Sequence, residues 1–502
     1  MITTTSPRDG VVVETSISPT SPEGVERVVA SAADAFTELS GWSRDRRATL
    51  LELMAEHVER HRDELVEIAD RETALGQARL GGELSRSMFQ LRLFATAVRD
   101  GCYLEAAIDH AGDTPLGPGP DIRRMLVPLG PVAVFGSSNF PFAFSVLGGD
   151  TASAIAAGCP VILKAHGSHP LTSELSAAAL REAVAEAGAP SGTVGVVYGQ
   201  AAGVGVVRHP LVTAVSLTGS LGAARVIQAA IDEREEPIPF FGELSSLNPL
   251  LVTPAGARQR GDEIVDGLSA SVLGSAGQLC TKPGIAFVPR GTDGDDIVAG
   301  LVARFEAAPS ATLLNTRIRT SFDEIEARLL AAGADKVAEG ARADGGSFSV
   351  APTLLEVGAE AFTGALAEEC FGPLLVAVRY DDVDQALAAI DKVPGSLTAT
   401  VQGVADEEGL PELFHRLEPR AGRLLFNQYP TGVRVSWAQH HGGPWPATNT
   451  QHTSVGVTAI RRWLRPVAWQ NAPQAVLPVE LRDGEPSIPI RIDGGLVLPV
   501  GR

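Results

Sequence analysis

The feature that most constrains this fold is a repeated alternation of short apolar runs with amphipathic helical segments. It starts at Met125. "MLVPLGPVAVFG" reads as strand, and "AIAAGCPVILKA" ends in one. "TSELSAAALREAVAEAG" is an amphipathic helix, closed by Gly188 and Pro190. "GTVGVVYG" and "VTAVSLTGS" are strands, "GAARVIQAAIDE" is a helix and "PIPFFGELS" is another strand. Alternation at this spacing predicts a parallel α/β sheet with crossover helices.

The alternation restarts near residue 260. "DEIVDGLSASVLGSAGQL" is helical and leads straight into Cys280, and "GIAFVP" is a strand. Helices are predicted at 321–341 and 381–393, with strands at "PLLVAVRY", "LTATVQG" and "RLLFNQ". This makes a second α/β unit, in keeping with two or three domains for 502 residues. Ahead of both units, residues 22–39 and 44–73 carry helical periodicity. "TPLGPGPDI" is a Pro/Gly-rich break that predicts a hairpin turn. The Pro-rich, alternating tail from about 470 predicts an extended arm that packs on a partner subunit.

Charge and cysteine usage narrow the function. The formal net charge is −19, which argues against a nucleic-acid partner. The uncharged run Met125–Gly149 is long enough to span a membrane, but Pro128, Pro131, Asn139, Pro141 and several glycines interrupt it. It reads as a buried strand followed by an irregular polar loop. "MITTTSPRDG" has no basic start and no apolar core, so no signal peptide is expected. Cys102, Cys159, Cys280 and Cys370 show no CxxC spacing, which points to a reducing cytoplasm rather than to disulfides or zinc.

Taken alone, a free cysteine is most often an inert core residue, and Cys102, Cys159 and Cys370 keep that reading. Cys280 differs. "SAGQLCTKPG" is not a core stretch, and a thiol there fits a nucleophile. A dipole at a helix C-terminus would not help it ionise, so activation must come from a base or cation. Glu243, ending the apolar strand in "FFGELSSLNP", is either a salt-bridge partner or a desolvated general base. Asn139 in "FGSSNFPF" is either a turn residue or a neutral oxyanion donor. Lys164, one of only four lysines, ends a buried strand where nucleotides bind in parallel sheets. No G-x-G-x-x-G is present; "TGSLGAA" is the nearest strand-to-helix phosphate loop.

These pieces, in this order, resemble the NAD(P)-dependent aldehyde dehydrogenase superfamily over nearly the whole chain. The resemblance implies Cys280 in "GQLCTKPG" as nucleophile, Glu243 in "FGELS" as general base and Asn139 in "SSNFP" as oxyanion donor. It implies cofactor contacts from Phe135, Gly136, Ser137, Lys164, Gly167, Gly219 and Ser220. In "EECFGP" it places Glu369 on the nicotinamide ribose, with Phe371 beside it. The implied fold has two Rossmann-like parallel-sheet domains plus a small β oligomerisation arm. Its expected parts are a cofactor-binding domain from 1–104 and 126–243, a catalytic domain at 244–440, and an oligomerisation hairpin and arm at 105–125 and 455–502. A homodimer or homotetramer follows.

Departures from the family pattern are informative. Glu243 is followed by "LSSL" rather than Leu-Gly-Gly-Lys, and the Gly-Ser loop ends in Ala224. Gly167 stands where NAD-preferring members often carry a glutamate, so NADP is admissible alongside NAD. "ETALGQARLGGELSRSMFQLRLFA" and "SVGVTAIRRWLRPVAWQNAP" resemble the branch containing 2,5-dioxopentanoate (α-ketoglutaric semialdehyde) dehydrogenases. That branch also holds NADP-linked enzymes of aliphatic and other aldehydes. The expected reaction oxidises an aldehyde to a carboxylic acid through a cysteine thiohemiacetal and thioester. A CoA-acylating enzyme or a silent relative is the alternative. Phe142, Phe144 and Trp445 are candidate tunnel walls, and Arg434 is a candidate partner for a substrate carboxylate. His440 and His441 read as structural or loop residues. His57 and His61 read as a solvated helix face. No metal site is expected.

Overall fold

The computed structural model describes residues 1–342 and 348–499. Two parallel sheets dominate it. The first has five strands in the order Phe240–Glu243, Ala214–Thr218, Val132–Phe135, Val161–Lys164 and Val194–Val197, all parallel. The second has seven, in the order Asp335–Glu339, Thr353–Gly358, Leu374–Tyr380, Ile285–Pro289, Leu250–Val252, Ser396–Gln402 and Ala421–Phe426. Only its edge pair, Asp335–Glu339 with Thr353–Gly358, is antiparallel. Leu374–Tyr380 and Ser396–Gln402 are buried at every position, because crossover helices cover both faces.

Local chemistry starts the helices where the sequence turns polar. Ser21, Ser43, Ser220, Thr253, Asn315 and Asp382 each accept a backbone N–H from the first turn of the helix they precede. Three predicted elements differ. The 44–73 segment is two helices, Arg44–Arg60 and Arg62–Thr73, broken at His61. The 321–341 segment is a helix only to Ala331; Gly333 turns with φ 102°, and Asp335–Glu339 is an edge strand. The Met125–Gly136 run holds two strands in different sheets, Ile122–Pro128 and Val132–Phe135.

A third sheet joins distant parts of the chain. Its order is Leu464–Gln470, Ile122–Pro128, Ala107–Asp109, Ile490–Ile492 and Gly495–Val497. The short hairpin Gly112–Thr114 with Gly117–Gly119 projects from it and carries the fully exposed Leu116. The segment Val457–Trp463, by contrast, packs into the core of the first sheet: Trp463 is inaccessible and Arg462 pairs with Asp150 at 2.5 Å. The tail beyond residue 499 lies outside the described residues.

His57 and His61 do not form a solvated face. His57 is buried and pairs with Glu182 at 3.0 Å and Glu186 at 2.7 Å, and His61 meets Glu182 at 3.0 Å. His57, in the last turn of one helix, and His61, at the break after it, thus meet the i, i+4 carboxylates Glu182 and Glu186 on the Pro170–Glu186 helix. No described helix is long and apolar enough to cross a membrane.

Candidate active site

In the first sheet the strand order reverses between Val132–Phe135 and Ala214–Thr218. Open parallel sheets bind ligands beyond the carboxyl ends of their strands at such a point. The residues that follow the two strands are Gly136-Ser137 and Gly219-Ser220. Ser220 caps the Leu221–Asp232 helix by accepting from Ala223 N, so that helix starts at the crevice. The Gly219 N–H donates to the Glu243 carbonyl at 2.9 Å, which ties this loop to the strand carrying the carboxylate. Gly136 is required by packing, because a Cβ there would lie 2.6 Å from Ser145 Oγ. The Ser137 carbonyl accepts from buried His169 at 2.9 Å, and half-buried Phe135 packs at the strand end. Lys164 ends its strand, and its ammonium has no partner among the described residues. Burial pulls that ammonium below the usual lysine value. A Cβ at Gly167 would meet nothing within 4 Å.

The Cys280 loop is built differently from the helix-to-turn junction expected. The preceding helix, Pro254–Leu273, stops seven residues short of Cys280. Ser275 and Ala276 then take left-handed φ of 52° and 55°, which swings the chain off the helix axis. Buried Gln278 fixes the approach: its Oε1 accepts from Leu314 N at 2.9 Å. Asn248 holds the far side, donating from Nδ2 to the carbonyls of Cys280 at 2.9 Å and Lys282 at 3.0 Å. Lys282 is itself buried, and its ammonium donates to the carbonyls of Cys370, Gly372 and Leu374 at 2.9–3.1 Å. This clamps the Cys280 loop to the segment carrying Glu369 and Phe371. Gly277, φ 66°, permits the approach, since a Cβ there would collide with the Gly372 carbonyl.

Glu369 receives the Ser245 hydroxyl at 2.6 Å and the Ser246 N–H at 3.2 Å on Oε2. The two serines of "LSSL" therefore orient this carboxylate. Burial raises the Glu369 carboxyl above the ordinary range. Phe371 is half-buried two residues on.

Asn139 is buried and its Nδ2 donates to the Gln278 carbonyl at 2.9 Å, two residues before Cys280. An amide nitrogen has a second hydrogen to give. Its loop is pinned from the Gln77–Asp100 helix. Glu83 Oε1 accepts from Phe142 N and Ala143 N at 2.8 and 2.9 Å, and Arg79 donates to the Asn139 carbonyl at 2.7 Å.

Around the thiol three groups converge. Cys280 Sγ lies 3.6 Å from His441 Nε2, and that same nitrogen lies 2.9 Å from Glu243 Oε1. Ser454 donates to the other carboxylate oxygen at 2.5 Å. Glu243 and His441 are buried; Cys280 is partly accessible. Burial alone would raise the Glu243 carboxyl, but His441, Ser454 and Arg462 outweigh it and lower it. Burial and the Glu243 charge push the Cys280 thiol well above its usual value. The thiol is thus protonated at rest, with an acceptor in reach. Ligand atoms of Glu243, Cys280 and His441 lie within 4.8 Å of one another, and their donor chemistry would also suit a soft divalent metal. His441 was expected to be structural; adjacency to His440 hides that only one of the pair turns inward.

Other expected residues lie elsewhere. Phe142 is inaccessible and belongs to the core of the first sheet, so it is no tunnel wall. Phe144 is the partly exposed aromatic, 6.0 Å from the His441 ring. Arg434 is exposed. Trp445, 59 % exposed, lines an open cleft of about 640 Å³ with His440 and Thr448, which Cys280 does not border. Cys102 is exposed rather than core, while Cys159 and Cys370 are buried.

Comparison with known proteins shows the family and the fold. Residues 1–451 match the model of the aldehyde dehydrogenase family. The chain is 43% identical over 480 residues to α-ketoglutaric semialdehyde dehydrogenase 2 of Azospirillum brasilense, covering 94% of this chain and 91% of that one. It is 40% identical over 486 residues to the α-ketoglutaric semialdehyde dehydrogenase of Acinetobacter baylyi, with the same coverage of 94% and 91%. Among solved structures, PnpE in complex with nicotinamide adenine dinucleotide superposes with a TM-score of 0.80 at 22% identity, covering 93% of each chain. Glyceraldehyde-3-phosphate dehydrogenase GapN of Methanocaldococcus jannaschii, complexed with NADP, gives 0.80 at 16% identity, covering 94% of this chain and 98% of that one.

Proposed function

The chain belongs to the aldehyde dehydrogenase family, and from that premise we propose that it oxidises a semialdehyde, 2,5-dioxopentanoate the leading candidate, to its carboxylic acid with NADP or NAD. The observation that carries this reading is the Cys280–His441–Glu243 cluster, Sγ to Nε2 3.6 Å and Nε2 to Oε1 2.9 Å. The substrate class rests on the two α-ketoglutaric semialdehyde dehydrogenases above.

The crevice residues fit a dinucleotide. Lys164 is an unpartnered, desolvated cation, suited to ribose hydroxyls or a phosphate. Ser220 and the helix start behind it suit the pyrophosphate. Phe135, Gly136, Ser137 and Gly219 form the surrounding walls, and Glu369 with Phe371 would meet the nicotinamide ribose. The open space at Gly167 leaves a 2′-phosphate unopposed. Bound there, the nicotinamide supplies a hydride acceptor.

The chain's own residues do the rest. His441 Nε2 donates its proton to Glu243 at rest; as that proton passes to the carboxylate, Nε2 is free to take the Cys280 proton, so the thiol proton is relayed toward Glu243. The thiolate forms a C–S bond to the aldehyde carbon, and the carbonyl π electrons move to oxygen. Asn139 Nδ2 and the Cys280 backbone N–H hold that oxyanion. Loss of hydride restores the carbonyl as a thioester. Once the first proton has left the His441–Glu243 pair for solvent, the pair takes a proton from water; the hydroxide adds to the thioester carbon, the C–S bond breaks, and the Cys280 thiolate leaves with release of the acid.

On this reading residues 1–104 and 126–243 bind cofactor and 244–440 carry the nucleophile. The 105–125 and 455–502 segments, apart from the core-packed Val457–Trp463, assemble subunits into a dimer or tetramer. Exposed Leu116 at the tip of the short hairpin, Leu496 on the third sheet and Leu498 just beyond its last strand support that last assignment. Four free cysteines suit a cytoplasmic enzyme.

The test is reduction of NADP or NAD, followed by absorbance, over 2,5-dioxopentanoate, aliphatic aldehydes and aromatic aldehydes. Preference for the dioxo acid supports the substrate. Best turnover of an uncharged aldehyde keeps the chemistry and discards the semialdehyde. Turnover only in the presence of CoA would indicate acyl transfer instead.

A further inference from the structure

The Gln77–Asp100 helix turns Arg79, Glu83 and Arg86 toward the Asn139–Phe144 loop, at i, i+4 and i+7. Two of the three are committed. Arg79 donates to Asn139 and stands 3.7 Å from Glu83, and Glu83 holds the loop backbone. Arg86 is not. Both of its terminal nitrogens are buried, and neither has a hydrogen-bond partner among the described residues. A guanidinium is permanently charged, and leaving its fork unpaired inside a protein is costly. Such a group persists where a ligand completes it.

Its position relates it to the nucleophile. The Arg86 guanidinium stacks over Phe144 at 5.0 Å, Phe144 lies 6.0 Å from the His441 ring, and His441 is 3.6 Å from Cys280. Its charge is felt first by Glu83, one turn away on the same helix, and then by Cys280 and Glu243. The two other arginines whose charges reach Cys280 or Glu243 are engaged. Arg423, whose charge also reaches Cys280, donates to Pro430 and Gly432. Arg462 is paired with Asp150. Arg434 is exposed.

We propose that Arg86 receives the distal carboxylate of the substrate, its two terminal nitrogens donating to the two carboxylate oxygens while the thiol attacks the aldehyde at the other end. This rests on the semialdehyde reading above and deepens it. In 2,5-dioxopentanoate the carboxylate carbon stands four C–C bonds from the aldehyde carbon, about 5 Å when extended. Stacking on Phe144 fixes the orientation of the planar guanidinium, and burial of its terminal nitrogens strengthens a bidentate pair.

The experiment compares 5-oxopentanoate with pentanal, which differ only by the carboxylate, in wild type, R86K and R86M. The reading is the ratio of their kcat/KM values. Wild type is expected to favour the acid. R86M is expected to lower the ratio between about tenfold and a hundredfold, mainly through KM for the acid, with R86K intermediate. Calorimetry with 2-oxoglutarate, the product dianion, should show weakened binding to R86M without any turnover. If wild type favours the acid and R86M keeps the ratio, the Arg86 assignment falls while the semialdehyde reading stands. If wild type shows no preference, the semialdehyde reading fails and the Arg86 assignment with it. Equal loss on both substrates with a lowered melting temperature would make Arg86 structural and overturn the proposal.

Discussion

His441 Nε2 sits 2.9 Å from Glu243 Oε1 although 198 residues separate them in the chain. The contact converts a lone carboxylate into a carboxylate–imidazole pair facing a thiol. H441F should remove the proton acceptor and leave volume and aromatic packing against Phe144 nearly intact. We expect kcat to fall by about 10²–10⁴-fold. H441Q, which hydrogen-bonds but cannot take a proton, should fare no better. Steady-state rates near wild type in both variants would remove His441 from proton transfer.

Glu243 raises the Cys280 thiol, so a variant without that charge should have the more acidic thiol. Alkylation by iodoacetamide follows the thiolate. In wild type the Cys280 rate should still be climbing above pH 9. In E243Q the whole profile should move to lower pH, giving faster labelling at pH 8. Cys102, whose side chain is exposed as a whole but whose thiol is partly desolvated beside Asp100 and pushed up to about 11, serves as an internal reference in the same digest. A Cys280 profile unmoved by E243Q would contradict the electrostatic coupling.

Ser245 donates to Glu369 at 2.6 Å, so "LSSL" positions the carboxylate assigned to the ribose. S245G should loosen it by roughly 1 kcal/mol. KM for the dinucleotide is expected to rise about fivefold, with little change in KM for aldehyde. The opposite split would place Ser245 on the substrate side.

Lys282 satisfies three buried carbonyls at once. K282M keeps the stem and deletes the donors. Leaving those acceptors unpaired should cost on the order of 3 kcal/mol, read as a lower denaturation midpoint in urea. An unchanged midpoint would mean that the loop is held by other means.

Much of this was legible in the chain because the carriers are local. The strand-then-Glu pattern at Glu243, the Gly-Gln-Leu-Cys turn and the short buried strands are each set by neighbours in sequence. What stayed hidden depends on distance along the chain. His441 meets Cys280 across 161 residues, and adjacency to His440 masks which ring turns inward. Phe142 and Phe144 look alike in "FPFAF", yet the consecutive turns of this loop send one into the core and the other toward His441. Arg79, Glu83 and Arg86 did leave a trace. They lie among Leu80, Leu84 and Met88, charged residues on the buried side of a helix.

The central claim is a covalent intermediate on Cys280, and intact-mass and peptide analysis of E243Q tests it most directly. Quenched after mixing with NADP and aldehyde, the variant should carry the acyl group of the substrate on the peptide containing Cys280, with about one equivalent of cofactor reduced per site. Cofactor reduction without an adduct on Cys280, or an adduct on another residue, would contradict it.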